Sequence, residues 1–289
     1  MNVAVLGAGT RGRDATRKCL RAGYDVRLYD SDAHAVMDSI DAVGQRLPER
    51  DISDHVDGTT GLQSAVSGTD VVLDTTAGDV DERRELLAEV EQFVDDEAIF
   101  VSETEESVTA VATGLERPGR AAGLHFVEPA ESELVEVVLA DQTTEAARER
   151  VSEFVEELGG VPLTVRDTPG FAAARLELAE LVEAIRVVES GVATVPDADL
   201  AAARTESERG PLARADERGL DAVLESLDHL APALDDRFEP PALLRRRVAD
   251  GHLGESTGEG FYVWKNGEPS SPAELRSRTA APGDDFDEG

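Results

Sequence analysis

The chain opens on an unbroken apolar run, Asn2-Val-Ala-Val-Leu-Gly7, which reads as a buried strand breaking into a glycine turn. Arg11 to Ala22 then reads as a helix that Gly23 ends, and Asp25 to Asp30 reads as a second strand. Short apolar runs recur at Asp70–Asp74, Ala98–Ser102, Ala122–Val127 and Leu134–Leu139, with a helical stretch over Asp81–Val94. Strands alternating with helices at this spacing predict an α/β fold, a Rossmann-type doubly wound sheet that is mostly parallel.

The pattern changes after one more strand, Pro162 to Val165, which leads into Asp167-Thr-Pro-Gly170. Strand signals nearly stop there. Leu176–Val188, Asp197–Arg204, Gly219–Leu230 and Pro241–Ala249 read as helices separated by Gly, Pro and Asp signals, so an all-α C-terminal domain is expected. The domains expected are a nucleotide-binding domain over 1–166, a helical substrate and dimerisation domain over 167–265, and an acidic tail over 266–289.

Charge narrows the range of partners. Of 289 residues, 61 are Asp or Glu and 28 are Lys or Arg, giving a formal net charge of −33. A field of that sign repels phosphate backbones and disfavours general nucleic-acid binding. Only Lys18 and Lys265 are lysines, the other basic residues being arginines. This composition reads as that of a halophilic protein, whose dense carboxylates hold water at a salt concentration where the Debye length falls to ~3 Å. Cys19 is the single cysteine, which excludes an intrachain disulfide or a thiolate metal cluster. No apolar run approaches the ~20 residues of a membrane span, and the N-terminus starts directly with a strand. A cytoplasmic protein without membrane or nucleic-acid partners is therefore expected.

Candidate chemistry begins at the first turn. Gly7-Ala-Gly9-Thr10-Arg-Gly12 lies between a strand and a helix: the first glycine allows the tight turn, the second lets backbone approach a pyrophosphate, and the third packs helix on strand. Amides at that helix N-terminus then bind phosphate. Asp30 ends the second strand, eighteen residues after Gly12. A carboxylate there accepts hydrogen bonds from ribose hydroxyls and repels a 2′-phosphate, which favours NAD over NADP. His125 sits at the end of an apolar strand and Glu136 in the next one. Imidazole, with a pKa near 6.5, takes a hydroxyl proton at neutral pH, and a carboxylate on its other nitrogen fixes the tautomer. A structural histidine is the alternative reading at this position.

With these residues in hand, the chain resembles the L-3-hydroxyacyl-CoA dehydrogenase family as far as about Trp264. The resemblance is carried by the glycine turn with Asp30, Ser102-Glu-Thr104, Gly123-Leu-His125-Phe, Leu134-Val-Glu136, Asp167-Thr-Pro-Gly-Phe171 with Arg175, Gly210-Pro211 with Gly219-Leu-Asp221, and Thr257-Gly-Glu-Gly-Phe-Tyr262. It implies an NAD domain, a helical domain that forms a homodimer, and a catalytic pair of His125 and Glu136. The histidine would remove the 3-hydroxyl proton of an acyl-CoA substrate while hydride passes to NAD. Gly7, Gly9, Thr10, Gly12, Asp30 and Ser102 would bind the cofactor.

The chain departs from the family at several points. The stretch between His125 and Glu136 is one residue shorter, and Glu128 and Ala174 replace asparagines. The serine-rich segment reads Ser102-Glu103-Thr104-Glu105, and Gly78 replaces a glutamate. Glu103, Glu105 and Glu128 place negative charge near the reacting groups and would be the next candidates for proton transfer. These departures keep two other readings in view: a dehydrogenase of a small non-thioester 3-hydroxy acid, and an NAD-binding paralogue without turnover.

Overall fold

In a computed structural model, the described residues are 1–47, 52, 54–103, 106–127, 133–203 and 209–275. The chain divides into two compact units, Met1–Ala173 and Ala174–Gly289.

The first unit runs β1 (Asn2–Leu6), α1 (Thr10–Ala22), β2 (Asp25–Tyr29), α2 (Ala33–Gln45), β3 (Val56–Thr59), α3 (Leu62–Val66), β4 (Val71–Asp74), α4 (Val80–Glu91), β5 (Ile99–Glu103), α5 (Val108–Ala112), β6 (Ala121–Phe126), β7 (Leu134–Leu139), α6 (Glu145–Glu157) and β8 (Val161–Arg166). Its eight strands form one sheet in the order β3-β2-β1-β4-β5-β6-β7-β8. The chain winds outward from β1 in one direction and from β4 in the other, so the crevice at their carboxyl ends is the topological switch point where open α/β sheets bind ligands. Along β1, Val3 and Val5 enter the core cluster on one face while Ala4 and Leu6 enter the cluster on the other. Two-sided burial is why this strand reads as a continuous apolar run.

Helix α1 buries Gly12, Ala15, Thr16, Cys19 and Leu20, the i, i+3, i+4, i+7, i+8 stripe of a half-buried helix. Gly23, at a φ of +88°, turns the chain out of it into β2.

The last part of the sheet reverses direction. β7 runs antiparallel to β6, and β8 runs parallel to β7. Only residues 127–133 separate β6 from β7, too few for the dozen or more that a parallel crossover needs. β3 is a strand that the apolar pattern does not predict, because its sequence, Val-Asp-Gly-Thr, carries little strand signal.

The second unit contains α7 (Ala173–Glu189), α8 (Val195–Ala202), α9 (Pro211–Arg218), α10 (Leu220–Ala233), α11 (Ala242–Ala249), β9 (Tyr262–Lys265) and β10 (Glu268–Pro272). Its core gathers Leu181, Ile185, Leu212, Leu227, Leu244, Phe261 and Trp264. To the expected helices the structure adds a small hairpin. Asn266 and Gly267 turn β9 into β10 with φ of +54° and +79°, the left-handed pair that an Asn-Gly hairpin turn requires. The stretch expected as a tail from 266 therefore begins with a paired strand, and 276–289 lie outside the described residues. Arg204, the expected end of the second helix in this half, lies outside them too.

Candidate active site

The glycine turn has the geometry its sequence implies. Gly7 has a φ of +98°, and a Cβ there would meet the backbone of Thr76 at 3.1 Å. A Cβ on Gly12 would stand 1.8 Å from the Gly7 carbonyl oxygen, so that position admits only glycine. Around Gly9 nothing lies within 4 Å of a Cβ position, which leaves the helix entrance open. No side chain caps α1, whose first residue, Thr10, is exposed. The amides of that first turn are donors without intrahelical partners, the arrangement that receives a phosphate group. Asp30 is joined to the turn: its Oδ2 accepts the Ala8 N–H at 2.9 Å and its Oδ1 accepts the Asp32 N–H at 3.0 Å. A carboxylate is thus held at the end of β2 beside an open, uncapped helix entrance, and these residues fit an adenine dinucleotide.

Ser102 lies beneath this surface. It is 3% exposed, and its hydroxyl donates to Asp74 Oδ2 at 3.3 Å. Asp74 ends β4 fully buried, 2.8 Å from Arg83 Nη1, and its other oxygen accepts from the Thr76 N–H at 3.0 Å and the Thr76 hydroxyl at 2.6 Å. Arg83 also donates to the Thr76 carbonyl. Sequence reasoning misses Asp74, Arg83 and Thr76 as a unit. The signal that could have found it is the spacing of Arg83, Leu87 and Val90, which share the buried stripe of α4.

His125 and Glu136 are brought together directly. The antiparallel ladder pairs them across β6 and β7, with His125 Nδ1 2.9 Å from Glu136 Oε2. Glu136 has no exposed surface, and its Oε1 accepts the N–H groups of Ala172 and Ala173, both at 2.8 Å. Burial alone would push its carboxyl up. The His125 hydrogen bond and the two backbone donors outweigh that and hold it below the ordinary carboxylate range. An ionised Glu136 accepts a hydrogen bond from Nδ1–H, which leaves Nε2 as the ring's acceptor nitrogen. The His125 side chain is 24% exposed.

The Asp167–Phe171 turn supplies the remaining support. Asp167 Oδ2 accepts from the Ser107 hydroxyl at 2.8 Å and the Thr109 N–H at 2.7 Å, tying the turn to the start of α5. Phe171 takes a φ of +41°, a left-handed conformation that a bulky side chain adopts only when its surroundings enforce it. In this conformation its ring packs 5.5 Å from that of His125, and the next two amides point at Glu136.

Glu103 ends β5, where burial pushes its carboxyl up while Arg11 and Lys18 pull it down. Lys18 places its ammonium 3.2 Å above the ring of Phe126, the residue after His125. Thr104, Glu105 and Glu128 lie outside the described residues.

In the second unit the remaining motif residues build architecture. Asp216 accepts the N–H groups of Phe261 and Tyr262, each at 2.8 Å, and the indole N–H of Trp264 at 2.9 Å. Burial pushes its carboxyl up to about 6 against those three donors. Asp199 accepts from Leu212 N at 2.7 Å, Ala213 N at 3.0 Å and the Tyr262 hydroxyl at 2.9 Å. A Cβ on Gly210 would stand 2.4 Å from Asp199, and one on Gly260 would stand 2.0 Å from Asp216, which explains both glycines by packing.

Comparison with known proteins agrees with this geometry. Residues 2–168 match the 3-hydroxyacyl-CoA dehydrogenase NAD binding domain, and residues 170–264 match the C-terminal domain of the same family. A probable 3-hydroxybutyryl-CoA dehydrogenase of Deinococcus radiodurans is 32% identical over 279 residues, covering 91% of this chain and 100% of the relative. The human mitochondrial hydroxyacyl-coenzyme A dehydrogenase is 30% identical over 287 residues, covering 91% of each chain. Among solved structures, the (S)-3-hydroxybutyryl-CoA dehydrogenase from Ralstonia eutropha superposes with a TM-score of 0.80 at 29% identity, covering 92% of this chain and 99% of that one.

Proposed function

Because the chain belongs to the 3-hydroxyacyl-CoA dehydrogenase family, we propose that it interconverts a 3-hydroxyacyl-CoA and a 3-oxoacyl-CoA, with NAD as cofactor. The observation that carries this reading is the His125–Glu136 pair, with its carboxylate buried and held by two backbone amides. NAD, when bound, accepts the hydride from the substrate carbon. His125 Nε2 takes the proton of the 3-hydroxyl, and Glu136 holds the ring by Nδ1 and stabilises the imidazolium that forms. Gly7, Gly9, Thr10 and Gly12 receive the diphosphate, and Asp30 receives the ribose hydroxyls. Ser102, the remaining residue proposed for the cofactor, is 3% exposed and acts through its hydrogen bond to Asp74.

The same reading extends to the state of the protein. A halophilic enzyme is supported by the charge of −33 and by two lysines among 28 basic residues, and a cytoplasmic one by its single cysteine, Cys19. Among the described residues no helix is long and apolar enough to cross a membrane. A homodimer is supported by Leu176, Val192 and Leu200 of the second unit, which are 73%, 77% and 58% exposed.

The test follows NADH absorbance with acetoacetyl-CoA and with 3-hydroxybutyryl-CoA, in molar KCl and in dilute buffer. Turnover of the thioesters, faster at high salt, is the expected result. Absence of turnover with both, from protein that binds NAD, would overturn the catalytic reading.

A further inference from the structure

In a chain of formal charge −33, α1 carries five basic residues, Arg11, Arg13, Arg17, Lys18 and Arg21, against one acid, Asp14. Three of these cations are committed within the fold. Arg17 pairs with Asp14 at 2.9 Å, Arg13 Nε donates to Ser39 Oγ at 2.9 Å, and Lys18 stands over Phe126.

Arg11 differs. It is exposed in the first turn of α1, two residues after the open position at Gly9, and its Nη1 reaches the Glu103 carbonyl oxygen at 3.4 Å. Because β4 lies between β1 and β5 in the sheet, this reach from the end of β1 to the end of β5 passes over the carboxyl end of β4. Among the described residues the guanidinium spans the switch-point side of the crevice on this one long hydrogen bond.

We propose that Arg11 is a diphosphate-binding residue of the NAD site: its guanidinium exchanges the Glu103 carbonyl for the diphosphate oxygens received at the N-terminus of α1. This rests on the NAD-dependent reading above. A dianionic diphosphate approaching so acidic a molecule meets a repulsive field, and a local cation at the point of contact offsets it. Arginine suits this task because its planar fork donates two parallel hydrogen bonds to phosphate, which the carbonyl it leaves cannot match.

The experiment titrates the native protein, Arg11→Met and Arg11→Lys with NAD, ADP-ribose and adenosine by calorimetry, in dilute buffer and in molar KCl. Arg11→Met is expected to raise Kd for NAD and ADP-ribose by ~10-fold, the size of one charge-assisted hydrogen bond. Adenosine, which has no diphosphate, should bind both alike. Arg11→Lys should recover part of the loss, and the loss should shrink in KCl as screening grows. Unchanged Kd for NAD in Arg11→Met would overturn the proposal, as would an equal loss for adenosine, which would point to a damaged turn. Protein that binds ADP-ribose through Arg11 yet turns over no thioester would overturn the enzymatic reading and leave this one standing. Turnover with a Kd indifferent to Arg11 would do the reverse. Native protein that binds neither NAD nor ADP-ribose would overturn both.

Discussion

His125 and Glu136 face each other across the antiparallel β6–β7 ladder, so the carboxylate meets Nδ1 as a direct cross-strand neighbour. Although the stretch between them is one residue shorter than in the family it resembles, the ladder pairs the two residues directly. Glu136 in turn is fixed from behind by Ala172 and Ala173, which leaves the imidazole one hydrogen-bonded orientation.

His125→Gln is expected to lower kcat by ~10²–10⁴-fold, the usual contribution of a positioned general base, with little change in NAD affinity. Glu136→Gln should also lose rate, and the double variant should lose far less than the product of the two, since the residues act as a unit. Steady-state kinetics and NAD titration check this. Full turnover in His125→Gln would remove the histidine from the mechanism.

Asp30→Ala is expected to narrow the preference for NAD over NADP, because the carboxylate that repels a 2′-phosphate is gone. The same side chain accepts the Ala8 N–H, so some loss for both cofactors will accompany it. The ratio of the two dissociation constants isolates the electrostatic part. Equal affinity of the native protein for NAD and NADP would contradict the assignment.

How much of this is legible in the sequence depends on the range of the interaction. The glycine turn, Asp30 and the strand–helix alternation are local patterns, and the structure realises each within a few residues. The reversal at β7 is also within reach, since the seven residues between Phe126 and Leu134 exclude a parallel crossover. So is the hairpin at Asn266-Gly267. Other features depend on distant partners. Ser102 reads from the sequence as a cofactor residue at a strand end, and only the β4–β5 register, which pairs it with Asp74, shows it buried. Arg83 looks like one more surface arginine in an acidic helix, yet it is 3% exposed. The left-handed Phe171 has no sequence signal, and its ring meets a residue distant in the chain, His125 of β6.

Asp216 sets a pH dependence of stability in the helical unit. Its carboxyl is pushed up to about 6 in the folded chain, above its value of 3.8 as a free side chain, so folding takes up a proton there between these values. Its contribution to stability is therefore fully present below the unfolded value and is lost as pH rises through about 6. Melting temperatures of the native protein and Asp216→Asn, measured from pH 4 to 7 in molar KCl, should differ most at the acid end. A gap that is constant across this range, or that widens toward neutrality, would refute this direction.

The Asp74–Arg83 pair predicts a strongly non-additive response. Both side chains are almost wholly buried, 1% and 3% exposed, so neither charge is solvated once its partner is removed. Breaking such a pair from one side typically costs ~3–5 kcal/mol, because the remaining charge is left uncompensated. Arg83→Met should thus destabilise the first unit by about that amount, leaving Asp74 with only Thr76 and Ser102 as donors. Asp74→Asn alone should be milder, since the amide oxygen still accepts from Arg83 and Arg83 keeps its hydrogen bond to the Thr76 carbonyl. Asp74→Asn combined with Arg83→Met removes both charges and should recover a large part of the loss, as replacing a whole buried ion pair is often near neutral. Denaturant midpoints for the four proteins complete a double-mutant cycle. Losses that simply add would mean that the two charges are not coupled, and Asp74 would then have to be held by Thr76 and Ser102 alone.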